Sequence, residues 1–135
     1  MIDVRIQAAD FDAGRQVARL AELGRGAIAS LLLLAKSAED VTEILIEHYP
    51  AMAKAELSRI AGEADERWAL GGIVLVHRHG RLAPGERMIL VAAAASDATA
   101  AQQACAYIAG ELRRRAPFWR KDVTADGGRW IANQV

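Results

Sequence analysis

The chain is poor in cysteine, proline and lysine, carries no net charge, and has no long apolar run. Each shortage narrows what it can be. A lone cysteine, Cys105, excludes an internal disulfide framework and any multi-cysteine metal site, so nothing requires an oxidising compartment. Lys plus Arg and Asp plus Glu both number 17. A dedicated nucleic-acid binder shows a basic excess, so nucleic acid is not an expected partner. The apolar run from Leu31 to Ala35 with its neighbours is about half a membrane span. Met1-Ile2-Asp3-Val4-Arg5 places charges where a signal peptide needs apolar residues. The expectation is a cytoplasmic protein without a membrane partner.

Also missing are a Gly-rich phosphate loop, a His-Glu-x-x-His motif and a Gly-x-Ser-x-Gly motif. There is no internal repeat and no linker-like tract. With 135 residues the chain suits one domain over 1–135, long enough to bury a core without staples. The three prolines, Pro50, Pro84 and Pro117, each fall at an element boundary, where a missing N–H does least harm.

What is present reads as alternating elements. Val4 and Ile6 mark a short strand. Ala13, Val17, Leu20 and Ala21 form a helical stripe within Phe11 to Leu23, with Gly24 as its stop. Gly26 to Ala35 reads as a strand covered on both faces, with Val41 to Glu47 as its antiparallel neighbour across Ser37–Asp40. Pro50 opens a helix whose stripe is Leu57, Ile60, Ala61, Ala64 and Trp68. Lys54, Glu56, Arg59, Glu63 and Arg67 face water, Glu63 and Arg67 at a supporting i,i+4 spacing, and Gly71-Gly72 ends the helix. Ile73–His79 and Arg87–Ala95 are strands joined around Ala83-Pro84-Gly85. A third helix, capped by Ser96 or Asp97, buries Ala101, Cys105, Ile108 and Leu112. Phe118–Val123 and Arg129–Ile131 form a terminal hairpin around Asp126-Gly127-Gly128. This order predicts an α+β fold with three main helices around a largely antiparallel sheet.

Few residues stand out chemically. Cys105, on the inward stripe of its helix, reads as a small core residue. His77 and His79 lie two apart on a strand and so share a face. They are strand-end polar residues or the start of a metal site, and no third ligand lies nearby in sequence. His48 before Tyr49-Pro50 reads as a turn residue. The basic run is more suggestive: Arg113-Arg114-Arg115 closes the third helix, where the dipole favours cations, and Arg120-Lys121 follows on the next strand. Pro117 fixes the turn between them, which allows Arg113 and Arg120 to converge on one anionic pocket. Arginines number 14 and lysines three, so a single surface arginine carries little weight.

Several segments together resemble the large, catalytic subunit of molybdopterin synthase. They are Gly26-Ala27-Ile28-Ala29-Ser30, Ile46-Glu47-His48-Tyr49-Pro50-Ala51-Met52, and Trp68. Val76-His77-Arg78-His79-Gly80-Arg81-Leu82 with Pro84-Gly85-Glu86, Ala116-Pro117-Phe118-Trp119-Arg120-Lys121 and Gly128-Arg129-Trp130 complete the set, in order. The resemblance implies an α/β-hammerhead fold and a homodimer within a heterotetramer, with a small ubiquitin-like sulfur-carrier subunit at each end. It implies transfer of sulfur from that subunit's C-terminal Gly-Gly thiocarboxylate to cyclic pyranopterin monophosphate, in molybdenum cofactor biosynthesis. No cofactor of its own is implied. The implied catalytic positions are Arg113 and Arg120, and the implied substrate-binding positions are Lys36, Arg113, Arg120, Lys121 and Asp122.

The departures from that family fall on the same places. Both Arg113 and Arg120 replace lysines. Leu33-Leu34-Ala35-Lys36 stands for a Gly-x-Val-Arg segment, the loop after it is shortened, and Asp97-Ala98 stands where the family has His-Arg. Arginine keeps a positive charge but stays protonated in proteins, so it substitutes for lysine in binding anions and not in moving protons. The alternative to a working enzyme is therefore a non-catalytic relative that binds the small subunit's tail or an anionic pterin without turnover.

Overall fold

The structure, a computed structural model, describes residues 1–131. In chain order the elements are β1 (Ile2–Gln7), α1 (Ala13–Ala21), β2 (Ala27–Leu34), β3 (Val41–His48), α2 (Pro50–Trp68) and β4 (Gly72–Arg78). They continue with β5 (Gly80–Leu82), β6 (Arg87–Ala95), α3 (Ala98–Arg115), β7 (Phe118–Thr124) and β8 (Gly127–Ile131). The strands form two four-stranded sheets, ordered β1-β4-β6-β2 and β5-β3-β7-β8. Only the β1–β4 pair is parallel, so the architecture is α+β and largely antiparallel.

Local signals start and stop the helices. Asp12 and Asp97 cap α1 and α3, accepting from the backbone N–H groups of Arg15 at 3.0 Å and Ala100 at 2.9 Å. Pro50 occupies the first turn of α2, where its missing N–H costs nothing. That helix ends two residues before the expected glycines, at Ala69 in the left-handed region (φ 47°). Gly72 is needed instead for close packing, since a Cβ there would sit 2.6 Å from the Leu23 side chain.

Alternation on the first sheet builds two apolar layers. Ile73, Leu75, Ile89 and Val91 face Leu57, Ile60, Ala64, Cys105, Ile108 and Leu112 of α2 and α3. Val74, Val76, Leu90, Ala92 and Ala94 face the other way, onto Phe11 and Leu20 beside α1. Thus β4 and β6 are the strands buried on both faces. The expectation of that role for the Gly26–Ala35 run is corrected: β2 is an edge strand, with Leu31, Leu32 and Leu34 exposed. Its composition matches a central strand, and only its place in the sheet differs.

The expected β2–β3 hairpin is also corrected. β2 pairs with β6, whereas β3 joins the second sheet between β5 and β7. Ala35 bonds to the β5–β6 turn through Glu86 O and Gly85 N, both at 2.8 Å, and this directs the chain away before β3 begins. A second transfer between sheets occurs at Gly80, whose φ of 86° turns β4 into the short strand β5. Consequently His77 and His79 do not share a strand face, as sequence spacing predicted. His77 is the penultimate residue of β4 in the first sheet, and His79 lies between β4 and β5, where the chain passes from one sheet to the other.

Candidate functional site

The motifs separated in sequence meet where the two sheets join. The rings of His79, His48, Phe118 and His77 form a column with successive centroid separations of 4.5, 5.5 and 3.7 Å. The His77 and Phe118 planes are within 3° of parallel. One column therefore links the end of β4, the end of β3 and the start of β7. His48 is more than a turn residue. The His77 Nδ1 lies 2.8 Å from the Arg78 carbonyl, which places its proton there, and its Nε2 is buried without a hydrogen-bond partner. Burial pushes the His77 pKa down to about 4, with the neighbouring histidines adding to the effect. Burial and then His79 lower that of His48.

Arg78 is a buried cation with a structural task. Its Nε and Nη2 donate to the Ala8 carbonyl at 3.1 and 2.9 Å, and Nη1 to the Arg87 carbonyl at 3.2 Å. It ties the β1–α1 loop to the start of β6, with Glu86 3.6 Å away as counter-charge. Lys54 does a similar job at the outer edge of β1, where its Nζ donates to the Val4 carbonyl.

On β7 the side chains alternate. Phe118, Arg120 and Asp122 are buried on the inner face, while Trp119 and Lys121 point to the opposite one. Arg120 donates from Nε to Asp122 Oδ1 at 2.8 Å and from Nη2 to the Lys36 carbonyl. The structure thus brings Lys36, Arg120 and Asp122 together, with the exposed Lys36 contributing its backbone. Lys121 lies on the other face of the sheet, and Arg113 is exposed on the last turn of α3.

The neighbouring basic residues have structural partners. Arg115 bonds Glu56 Oε1 at 2.8 Å and Glu63 Oε1 at 2.6 Å, joining α3 to α2, and Arg114 bonds Glu111 at 3.1 Å. That corrects the expected Glu63–Arg67 pair: Glu63 is held by Arg115 and Tyr107, and Arg67 lies 4.7 Å over the Trp68 ring. The Arg115 and Tyr107 bonds lower the Glu63 pKa. Cys105 is buried, and burial raises its thiol pKa to about 11, as befits a core residue.

Sequence reasoning missed the outer face of the second sheet. Glu47 opposes Trp119 across β3–β7, and Lys121 opposes Trp130 across β7–β8. The Lys121 Nζ lies 5.6 Å from the Trp130 ring centroid, and Tyr49 meets Trp119 edge-on at 5.2 Å. Tyr49, Trp119 and Trp130 are 60, 46 and 56% exposed, and with Glu47 and His48 they line a cleft of about 400 Å³. The alternation of Trp119 and Lys121 against Phe118, Arg120 and Asp122 was legible in the sequence. The pairing that adds Glu47 and Trp130 was not.

Among the described residues, no three of His, Cys, Asp and Glu are grouped to hold a metal ion. No helix among them is long and apolar enough to cross a membrane.

The two-sheet α+β architecture is that of solved MoaE and molybdopterin synthase proteins. The match to solved structures is close: the molybdopterin biosynthesis MoaE protein from Burkholderia ambifaria superposes with a TM-score of 0.86. It shares 36% identity, over 100% of this chain and 92% of that one. The chain belongs to the MoaE family, whose model, MoaE protein, matches residues 6–115. The molybdopterin synthase catalytic subunit of Mesorhizobium japonicum is 44% identical over 95% of this chain and 84% of its own length. That of Pseudomonas aeruginosa is 38% identical over 95% and 89%.

Proposed function

We propose that this chain, as one domain over residues 1–135, is the catalytic subunit of a molybdopterin synthase. It transfers sulfur from a small subunit's C-terminal thiocarboxylate to cyclic pyranopterin monophosphate, in the cytoplasm. The observation carrying this reading is the meeting of three separated signature segments in one ring column: His48 of β3, His77 of β4 and Phe118 of β7. The resemblance alone supplies the reaction, and the relatives' names agree with it.

In this reading Arg113 and Arg120 provide fixed positive charge, stabilising negative charge that develops during transfer, as an oxyanion hole does. Neither takes up a proton, because a guanidinium remains charged. Asp122 holds Arg120, which in turn fixes the loop at Lys36, and Lys121 serves anion binding from the other face. The partners are a small ubiquitin-like subunit and a second copy of the chain. The exposed leucines of the β2 edge offer the apolar surface such a homodimer covers.

One observation favours the second reading, binding without turnover: Arg120 is already engaged by Asp122 and the Lys36 carbonyl. Reconstitution with a thiocarboxylated small subunit separates the two. Dithiolene product above background supports the enzyme, and partner binding without product supports the holding protein.

A further inference from the structure

Three imidazoles meet at the junction of the two sheets, and sulfur transfer gives none of them a chemical role. His48 and His79 lie with ring centroids 4.5 Å apart. On the other side of Phe118 sits His77, whose Nε2 is buried and lacks a hydrogen-bond partner. A buried acceptor without a donor is a cost that the closed junction carries. The charged side chains around the column do not offset an added proton. Arg5 and Lys54 line, with His48, a cleft of about 420 Å³ beside β1. Arg78 lies between His77 and His79 in the chain, and Glu86 and Asp10 face its guanidinium at 3.6 and 4.0 Å. Glu47 points to the opposite face of β3 from His48. Among the described residues no carboxylate bonds to any of the three rings. His48 also precedes α2, whose first turn has no side-chain cap, so the helix dipole adds partial positive charge there.

We propose that this column is an acid-operated latch: proton uptake by the His48–His79 pair parts the adjoining ends of β3 and β7 from the end of β4, while the first sheet and its helices stay folded. Two charged rings at that spacing repel each other, and no counter-ion holds them in place. Gly80, immediately after His79, carries the turn between the sheets at φ 86° with open space around it, so the chain can hinge there. Once the rings part, water reaches the His77 Nε2 and satisfies it, which favours the open form. Ile44, Ile46 and Leu82 remain in the shared core, so the opening is confined to the junction. His48 borders both neighbouring clefts, and its displacement also remodels the outer one, where Tyr49 meets Trp119 edge-on.

Amide hydrogen exchange of the full chain, resolved by residue and expressed as protection factors at pH 7.0, 6.0 and 5.0, reads the latch directly. Below about pH 6.5, protection at 46–48, 80–82 and 118–119 is expected to fall about tenfold per pH unit for each proton taken up. Residues 73–76, 89–93 and 104–112, in β4, β6 and α3, are expected to keep theirs. His48→Phe preserves the stack on Phe118 and cannot be protonated, whereas His79→Gln removes the other ring of the pair and leaves that stack untouched. Each variant is expected to shrink the change between pH 7.0 and 5.0 at least tenfold, about one proton's worth of linkage. His79→Gln decides the matter where the larger ring at position 48 prevents folding. Protection that falls equally across both sheets and α3, protection at the junction that ignores pH, or an undiminished loss in a folded variant would each overturn the proposal.

Discussion

Arg120 and Asp122, two residues apart on β7, form an ion pair at 2.8 Å with both side chains buried. In this family resemblance Arg120 stands where a lysine is expected, and the structure shows what the larger head group does. It reaches past its own strand to the Lys36 carbonyl and joins β7 to the loop after β2. A lysine would have to make both bonds from a single nitrogen, without the separated donors of the guanidinium.

Breaking this pair exposes its role in stability. Asp122→Ala leaves a buried guanidinium uncompensated and is expected to destabilise the fold by about 3–5 kcal/mol. Replacing both residues, as Arg120→Leu with Asp122→Leu, should recover most of that loss. Urea denaturation of the three proteins measures the difference, and an undisturbed Asp122→Ala midpoint would refute the buried-pair assignment.

The ring column makes stability depend on pH in a defined window. His77 ionises near 4 in the fold, below the ordinary histidine value of 6.5. The unfolded chain therefore binds an extra proton between those two values. Stability is full above about pH 6.5 and declines as pH falls towards 4, by up to about 3 kcal/mol from this group. The lowered pKa of His48 adds to the loss as pH falls below about 6.5. Denaturation midpoints at pH 7.0, 5.5 and 4.5 should fall in order, and His77→Phe should flatten the trend. A wild-type midpoint constant over this range would contradict the buried neutral imidazole.

Asp97 stands where the resemblance expects a histidine, and its carboxylate caps α3. Asp97→Ala should cost about 1 kcal/mol, while Asp97→Ser should cost much less, since serine caps as well. Thermal unfolding distinguishes them. Equal losses in the two variants would mean that the cap bond contributes nothing.

The β2 edge predicts association. The chain should run as a dimer at micromolar concentration, and Leu32→Arg should shift it to monomer without unfolding it. Size-exclusion chromatography with light scattering reads both. A monomeric wild-type chain, or a dimer indifferent to Leu32→Arg, would place the contact elsewhere or remove it.

Much of the fold was legible because periodicity is local. The stripes of α2 and α3, the capping aspartate and the terminal hairpin follow from residues within a turn or two of each other. Sheet membership is not local. Leu31–Leu34 and Val74–Val76 are equally apolar, yet the first lies at an edge and the second at a centre, because β6 chose its neighbours through long-range pairing. The site divides in the same way. His48, His77 and the Pro117–Lys121 segment were marked by motif. The meeting of Glu47 with Trp119 and of Lys121 with Trp130 required register between strands more than 70 residues apart or across a hairpin.

Whether arginines can serve where lysines are expected is decided by turnover. The chain, mixed with a thiocarboxylated small subunit and cyclic pyranopterin monophosphate, should form the dithiolene product, measurable by chromatography after oxidation to a fluorescent pterin. Activity that persists in the wild type, with Arg113 and Arg120 in place, is the expected result. A small subunit that binds while no product appears, and product that emerges only in Arg113→Lys with Arg120→Lys, would contradict it.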